Sequence, residues 1–158
     1  MDNSLERESL IEKLEQFPVV LATAVSSLTT EQLTTSYVEG EWTVAQNAHH
    51  LADAHLNGFV RVKLTLTEEC PPLKPYDQDL WSAFPDTTNP NIQTSLHILQ
   101  GLHHRWALLF HGLTDKDWER VGNHLDDGLV SVAQLLAIYV AHGEAHLTQI
   151  QRTLDAAI

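Results

Sequence analysis

Apolar positions recur at three- and four-residue steps in four long stretches of the chain, the period of helices that bury one face. In the first stretch, Leu10, Leu14, Phe17, Leu21 and Val25 mark a helix from Ser4 to about Leu28. Pro18 removes an amide donor from its middle, which predicts a kink or a split, with a harmless bend as the simpler outcome. The second stretch opens at Thr43-Val-Ala-Gln46, a Thr-x-x-Gln capping box. Val44, Ala48, Leu51, His55, Phe59, Val62 and Leu66 then share one face of a helix roughly 35 Å long. Between Thr67 and Pro90 stand Pro71, Pro72, Pro75, Pro85 and Pro90, so a long structured loop without regular helix is expected there. Asn89-Pro90 reads as the N-cap and first-turn proline of a third helix, carrying Ile92, Leu96, Leu99, Leu102, Trp106, Leu109 and Leu113.

Thr114-x-x-Asp117 predicts one short helical turn, and Arg120 to Leu129, with Asp126-Asp127-Gly128, a loop or small hairpin. Ser131-x-x-Gln134 is another capping box. It opens a fourth helix with Val132, Leu135, Tyr139, His142, His146 and Ile150 on one stripe. No repeat or linker interrupts the pattern. It predicts an all-α four-helix bundle, a single domain over residues 1–158, with a long proline-rich loop between the second and third helices.

Charge narrows the partners. Nine Lys and Arg against 21 Asp and Glu leave a formal charge of −12, which repels nucleic acid and anionic membrane surfaces alike. The longest apolar runs, Pro18 to Val25 and Leu135 to Ala141, fall far short of the roughly 20 residues of a membrane helix. The start, Met1-Asp2-Asn3-Ser4-Leu5-Glu6-Arg7-Glu8, is polar and acidic, unlike a secretory leader, so a cytoplasmic location is expected. Cys70 is the one cysteine and cannot form an internal disulfide; beside two prolines it reads as incidental.

Ten histidines outnumber the Lys and Arg together. Two histidines of one helix grip one ion only when three or four residues apart, and among the ten that spacing occurs at His142 and His146. Both lie in the stripe their helix should bury, where two imidazoles are costly unless they share a partner. The pairs His49/His50 and His103/His104 are adjacent, so their members point about 100° apart. A third ligand is needed. The second helix offers a polar stripe of Asn47, His50, Ala54, Asn57 and Arg61, which by itself would read as a solvated face. His55 reads as a satisfied core histidine, and His103, His104 and Arg105 as a surface cluster.

The stretch Glu39-Gly-Glu-Trp-Thr-Val-Ala-Gln-Asn-Ala-His-His-Leu-Ala-Asp-Ala-His-Leu-Asn57 resembles the DinB/YfiT-like superfamily, in particular its YfiT branch. Arg61-Val-Lys-Leu-Thr-Leu-Thr-Glu68, Lys74-Pro-Tyr-Asp77, Trp81, Leu102-His-His-Arg-Trp106 and Tyr139-Val-Ala-His-Gly-Glu-Ala-His-Leu147 continue the resemblance in order along nearly the whole chain. It implies a four-helix bundle, often a homodimer, holding one divalent metal per chain through three histidines. Carried onto this sequence these are His50, from the family's His-Leu pattern, with His142 and His146. Ala45 stands where a basic residue is common, and Ala145 where a further, non-ligating histidine is.

Three neutral imidazoles leave the ion its full charge and an open position; zinc suits them best, with nickel, manganese or iron as alternatives. An open position lowers the pKa of a bound water or thiol. The resemblance implies two outcomes. One is S-transfer from a low-molecular-weight thiol, of the bacillithiol or mycothiol kind, to a small electrophile; the other is hydrolysis by activated water. A hydrolase wants a carboxylate base, yet Asp53 and Glu144 point away from the ligand stripes, leaving Asp77 or Asp79 of the loop. Thiol transfer is therefore the first expectation. A metal-containing binding or sensory module is the alternative without catalysis. Asn57, Arg61, Tyr139, Tyr76 and Trp81 are the candidate substrate contacts, the last two as a lid.

Overall fold

Capping decides where the helices start. The computed structural model describes residues 3–126 and 128–157. Its elements are α1 (Asn3–Val25), α2 (Thr30–Thr34), α3 (Val44–Thr67), β1 (Pro72–Leu73), α4 (Gln78–Ser82), α5 (Gln93–His111), α6 (Asp115–Trp118), β2 (Val121–His124), β3 (Gly128–Ser131) and α7 (Val132–Asp155). The boxes at Thr43/Gln46 and Ser131/Gln134 close reciprocally and open α3 and α7. Thr29/Gln32 does the same for α2. At the other end of α3, Arg120 caps the orphan carbonyls of Thr65 and Glu68, its Nε and Nη2 donating at 2.8 and 2.6 Å.

α1 runs through Pro18 as one helix and stops at Val25. The third long helix begins later than its sequence suggests. Asn89 Oδ1 accepts from the Asn91 amide in a tight turn, and α5 starts at Gln93 behind Ile92, without a side-chain cap. The proline-rich stretch holds a single helical turn after all, because Asp77 caps α4 through the Leu80 amide at 2.9 Å. The hairpin is β2 with β3, Val121 opposite Ser131, and β1 adds a parallel edge with Pro72 opposite Asn123. Asp127, part of the turn read there, lies outside the described residues.

α1 packs between α5 and α7, and so does α3 on the opposite side, so the cyclic order is α1-α5-α3-α7. The core has two halves. Ile11, Leu14, Phe59, Val62, Leu102, Trp106, Phe110 and Leu136 fill one; Phe17, Leu21, Val44, Leu51, Leu96, Leu99 and Ile150 fill the other. In chain order α1 and α7 pass from the first half to the second, while α3 and α5 pass the opposite way. Neighbouring α3 and α5 are therefore parallel, and the chain between them must travel back along the bundle. The long Pro-rich connection is that return path. Among the described residues, no helix is long and apolar enough to cross a membrane.

Candidate metal centre

Between the two halves of the core lies a polar layer. His50 from α3 meets His142 and His146 from α7, with ring centroids 4.5 to 5.3 Å apart. His50 and His146 are buried and His142 half-buried. One ring nitrogen of each lies within 4.8 Å of the others. His50 Nε2 and His142 Nε2 face each other at 3.2 Å. Zinc–imidazole bonds of 2.0–2.1 Å at a tetrahedral angle separate two ligand nitrogens by about 3.3 Å, so the pair already stands near ligand spacing. Three neutral nitrogens aimed at one point, among the described residues without a fourth His, Cys, Asp or Glu in the group, fit a divalent ion with an open position.

Neighbours fix the rings. Asn47 Nδ2 donates to the Thr43 carbonyl at 3.0 Å, which turns Oδ1 towards His146 Nδ1 at 2.8 Å. Its acceptor places the proton on His146 Nδ1 and leaves Nε2 bare. Trp42 stacks on His146 at 6.0 Å and meets His50 edge-on at 4.8 Å, walling the layer on that side. Behind His142 the layer continues inward to His55 and His103, both fully buried. Burial is the chief cause that holds these imidazoles neutral: His50 is pushed down to about 3, with help from His146 and His142, and His103, His142 and His146 to about 4. His55 is lowered well below its ordinary value by the same burial.

The sequence pattern of the DinB superfamily matches residues 13–150. The chain belongs to this superfamily. Its similarity to YfiT of Bacillus subtilis, a protein provisionally named a metal-dependent hydrolase, is 40% identity over 153 residues, covering 94% of this chain and 86% of that one. A relative from Oceanobacillus iheyensis with the same provisional name is 43% identical over 140 residues, covering 89% and 81%. The solved YfiT structure, described as having an unusual four-helix bundle topology, superposes with a TM-score of 0.87 at 40% identity over 94% of this chain and 87% of that one. A mycothiol-dependent maleylpyruvate isomerase shares the fold, with a TM-score of 0.70 at 14% identity over 90% of this chain and 59% of that chain.

For this DinB-superfamily chain the expected contacts divide. Two clefts meet at His142 and Gln78. The first, about 220 Å³, is lined by His50, Arg61, Tyr76 and Tyr139. Arg61 Nη1 donates to the Tyr139 hydroxyl at 2.9 Å and Nη2 to the Lys74 carbonyl at 2.6 Å. Both phenols stay protonated, Tyr76 pushed up to about 12, mainly by burial. The Trp81 ring lies 4.3 Å from that of Tyr76, tilted against it, and does not line this cleft. Asn57 turns back to the Asp53 carbonyl on its own helix at 2.9 Å and does not line this cleft. The second cleft, about 380 Å³, is lined by Trp42, Asp79, His146, Gln149 and an Arg152 tied to Glu41.

Sequence reasoning placed His103 on the surface, and the structure buries it completely. The signal was present: His103 follows Leu99 by four residues and precedes Trp106 by three, within the buried stripe of α5. Asn47, read as part of a polar face, likewise follows Val44 by three and precedes Leu51 by four, and it is 1% exposed. His104 and Arg105 are exposed as expected. His49 points the other way, to Ser95 Oγ at 2.7 Å and the Asn89 carbonyl at 2.8 Å.

Proposed function

We propose that this chain is a metal-dependent enzyme of S-transfer, joining a low-molecular-weight thiol that carries a carboxylate, of the bacillithiol kind, to a small electrophile. His50, His142 and His146 hold one divalent ion, zinc by ligand set, through their Nε2 atoms. Bound there, the ion would supply Lewis acidity that favours the thiolate; its sulfur would form the new C–S bond as the electrophile's leaving group departs with its electron pair. The observation that carries the reading is the pair of clefts converging on His142.

Two reactants need two seats. In the first cleft Arg61 spends its hydrogen bonds on neutral oxygens, and among the described residues no carboxylate pairs with it. Its guanidinium is available to a carboxylate of the thiol, oriented by Tyr139. In the second cleft Arg152 is neutralised by Glu41 and Trp42 offers an aromatic wall, which suits an uncharged electrophile. Among the described residues no carboxylate hydrogen-bonds to the three histidines, and Glu144 is engaged with Lys13 at 3.0 Å. Among the described residues no fourth His, Cys, Asp or Glu joins the cluster, which favours an open centre over a closed structural or sensory one. A homodimer belongs to the same reading, and light scattering at twice the chain mass tests it.

Hydrolysis is the second reading, favoured by Asp79, a carboxylate that lines the second cleft together with His142 and His146. The separating experiment offers the zinc-loaded protein monochlorobimane with a panel of thiols, and in parallel a panel of esters and amides. Conjugation that needs both thiol and metal supports S-transfer. Metal-dependent hydrolysis without conjugation, lost in Asp79→Asn, supports the second reading and overturns the first.

A further inference from the structure

Pro18 lies inside α1, and the carbonyl one turn before it meets a histidine of α5. Within α1, the Leu14 carbonyl would accept from the amide of residue 18, but Pro18 has none. A buried carbonyl left in this way requires a donor from elsewhere. His103 Nδ1 provides it at 2.5 Å. From that contact the proton positions follow one after another. A carbonyl only accepts, so His103 carries its proton on Nδ1, and as a neutral ring it presents a bare Nε2. His55 Nδ1 lies 2.7 Å from that Nε2 and must donate. His55 Nε2 is then bare and faces His142 Nδ1 at 3.2 Å. His142 donates in turn, and its own Nε2 is left free on the side facing His50.

We propose that His103 is a positioning residue for the metal centre: anchored on the Leu14 carbonyl, it sets through His55 the tautomer in which His142 presents a bare Nε2. The proposal rests on the reading that His50, His142 and His146 hold the ion. It adds a device that reaches the site from α1 and α5, neither of which supplies a ligand. Among the described residues, His55 and His103 have no hydrogen-bond partners besides one another, His142 and the Leu14 carbonyl. Phe17 stacks on both His55 and His103, at 5.8 and 5.7 Å, and Trp106 meets both edge-on at 6.1 Å. Reversing the proton of His55 or of His103, both fully buried, would set two N–H groups, or two lone pairs, against each other away from water.

The test begins with the metal-free full chain labelled with nitrogen-15 in its histidines, because ring nitrogen shifts report which nitrogen is protonated. His55, His103 and His142 are expected as Nδ1–H tautomers. Zinc affinity is then measured by chelator competition in wild type, His103→Leu and His103→Gln. The leucine variant removes the anchor, so His142 should populate the Nε2–H form and zinc should bind about 10- to 100-fold more weakly. Glutamine keeps one donor for Leu14 and one acceptor for His55, and should restore both tautomer and affinity to within a few-fold. A merely structural role would lower stability in both variants without moving the ring protons of His142. His142 found as Nε2–H in the wild type, or unchanged in a folded His103→Leu, overturns the proposal; should that variant not fold, the wild-type tautomers and the glutamine variant still decide. A wild type that binds neither zinc nor nickel overturns instead the reading of the three histidines as a metal centre, and the apo tautomers report on the relay regardless.

Discussion

Acidifying the metal-free protein from pH 7 to pH 5 sets five buried imidazoles against the solvent. In the unfolded chain each titrates near 6.5, whereas in the fold burial holds His103, His142 and His146 near 4 and His50 near 3. The unfolded state therefore binds more protons across this window, and stability rises with pH and is lost as pH falls from about 6.5 towards 4. At pH 5 an unfolded imidazole is almost fully protonated and its folded counterpart is not. The difference is worth about 2 kcal/mol per group. Over several such groups the loss is a large share of the stability of an ordinary domain, so the apo fold should be far less stable at pH 5 than at pH 7. Urea titrations followed by circular dichroism in chelator, at half-unit steps from pH 7.5 to 4.5, should give a slope corresponding to uptake of at least about three to four protons on unfolding near pH 5, His55 adding to the four groups above. Saturating zinc should move the transition to lower pH, because protons then compete with the ion. A stability that stays flat from pH 7 to 5 would refute the burial of neutral histidines on which the site is built.

Other perturbations have local outcomes. A Cβ on Gly58 would lie well inside contact distance of the Tyr139 ring, so Gly58→Ala should cost about 1–3 kcal/mol in urea denaturation and disturb the Arg61–Tyr139 bond. Asn47→Ala leaves the His146 Nδ1 proton without its acceptor and should weaken zinc binding about 10- to 100-fold by chelator competition. His49→Ala should lower stability by about 1–3 kcal/mol, since Ser95 and Asn89 lose a buried partner, while the metal content per chain stays unchanged.

Much of the fold was legible because its signals are local. Capping boxes at Thr43 and Ser131 act within one turn, and each set the start of a long helix. The spacing of His142 and His146 likewise needs only one helix. What escaped depends on neighbours. Asn89-Pro90 has the residues of a helix start, but Asn89 closes a turn on Asn91 and lends its carbonyl to His49, so the helix begins later. The single turn of α4 survives among prolines because they flank it and Asp77 caps it. Pro18 read as a harmless bend, and the helix is indeed continuous; its consequence appears only where α5 brings His103 to the Leu14 carbonyl. A helical wheel tells which residues face inward and never which inward-facing residue they meet.

The most direct test is the metal content per chain of untagged protein, dialysed against metal-free buffer and repeated for His146→Ala. One equivalent of a divalent ion in the wild type, lost in the variant, is the expected result. No metal in the wild type, and none taken up from added zinc or nickel, or an equal content in the folded variant, would contradict the assignment of His50, His142 and His146 as the ligands.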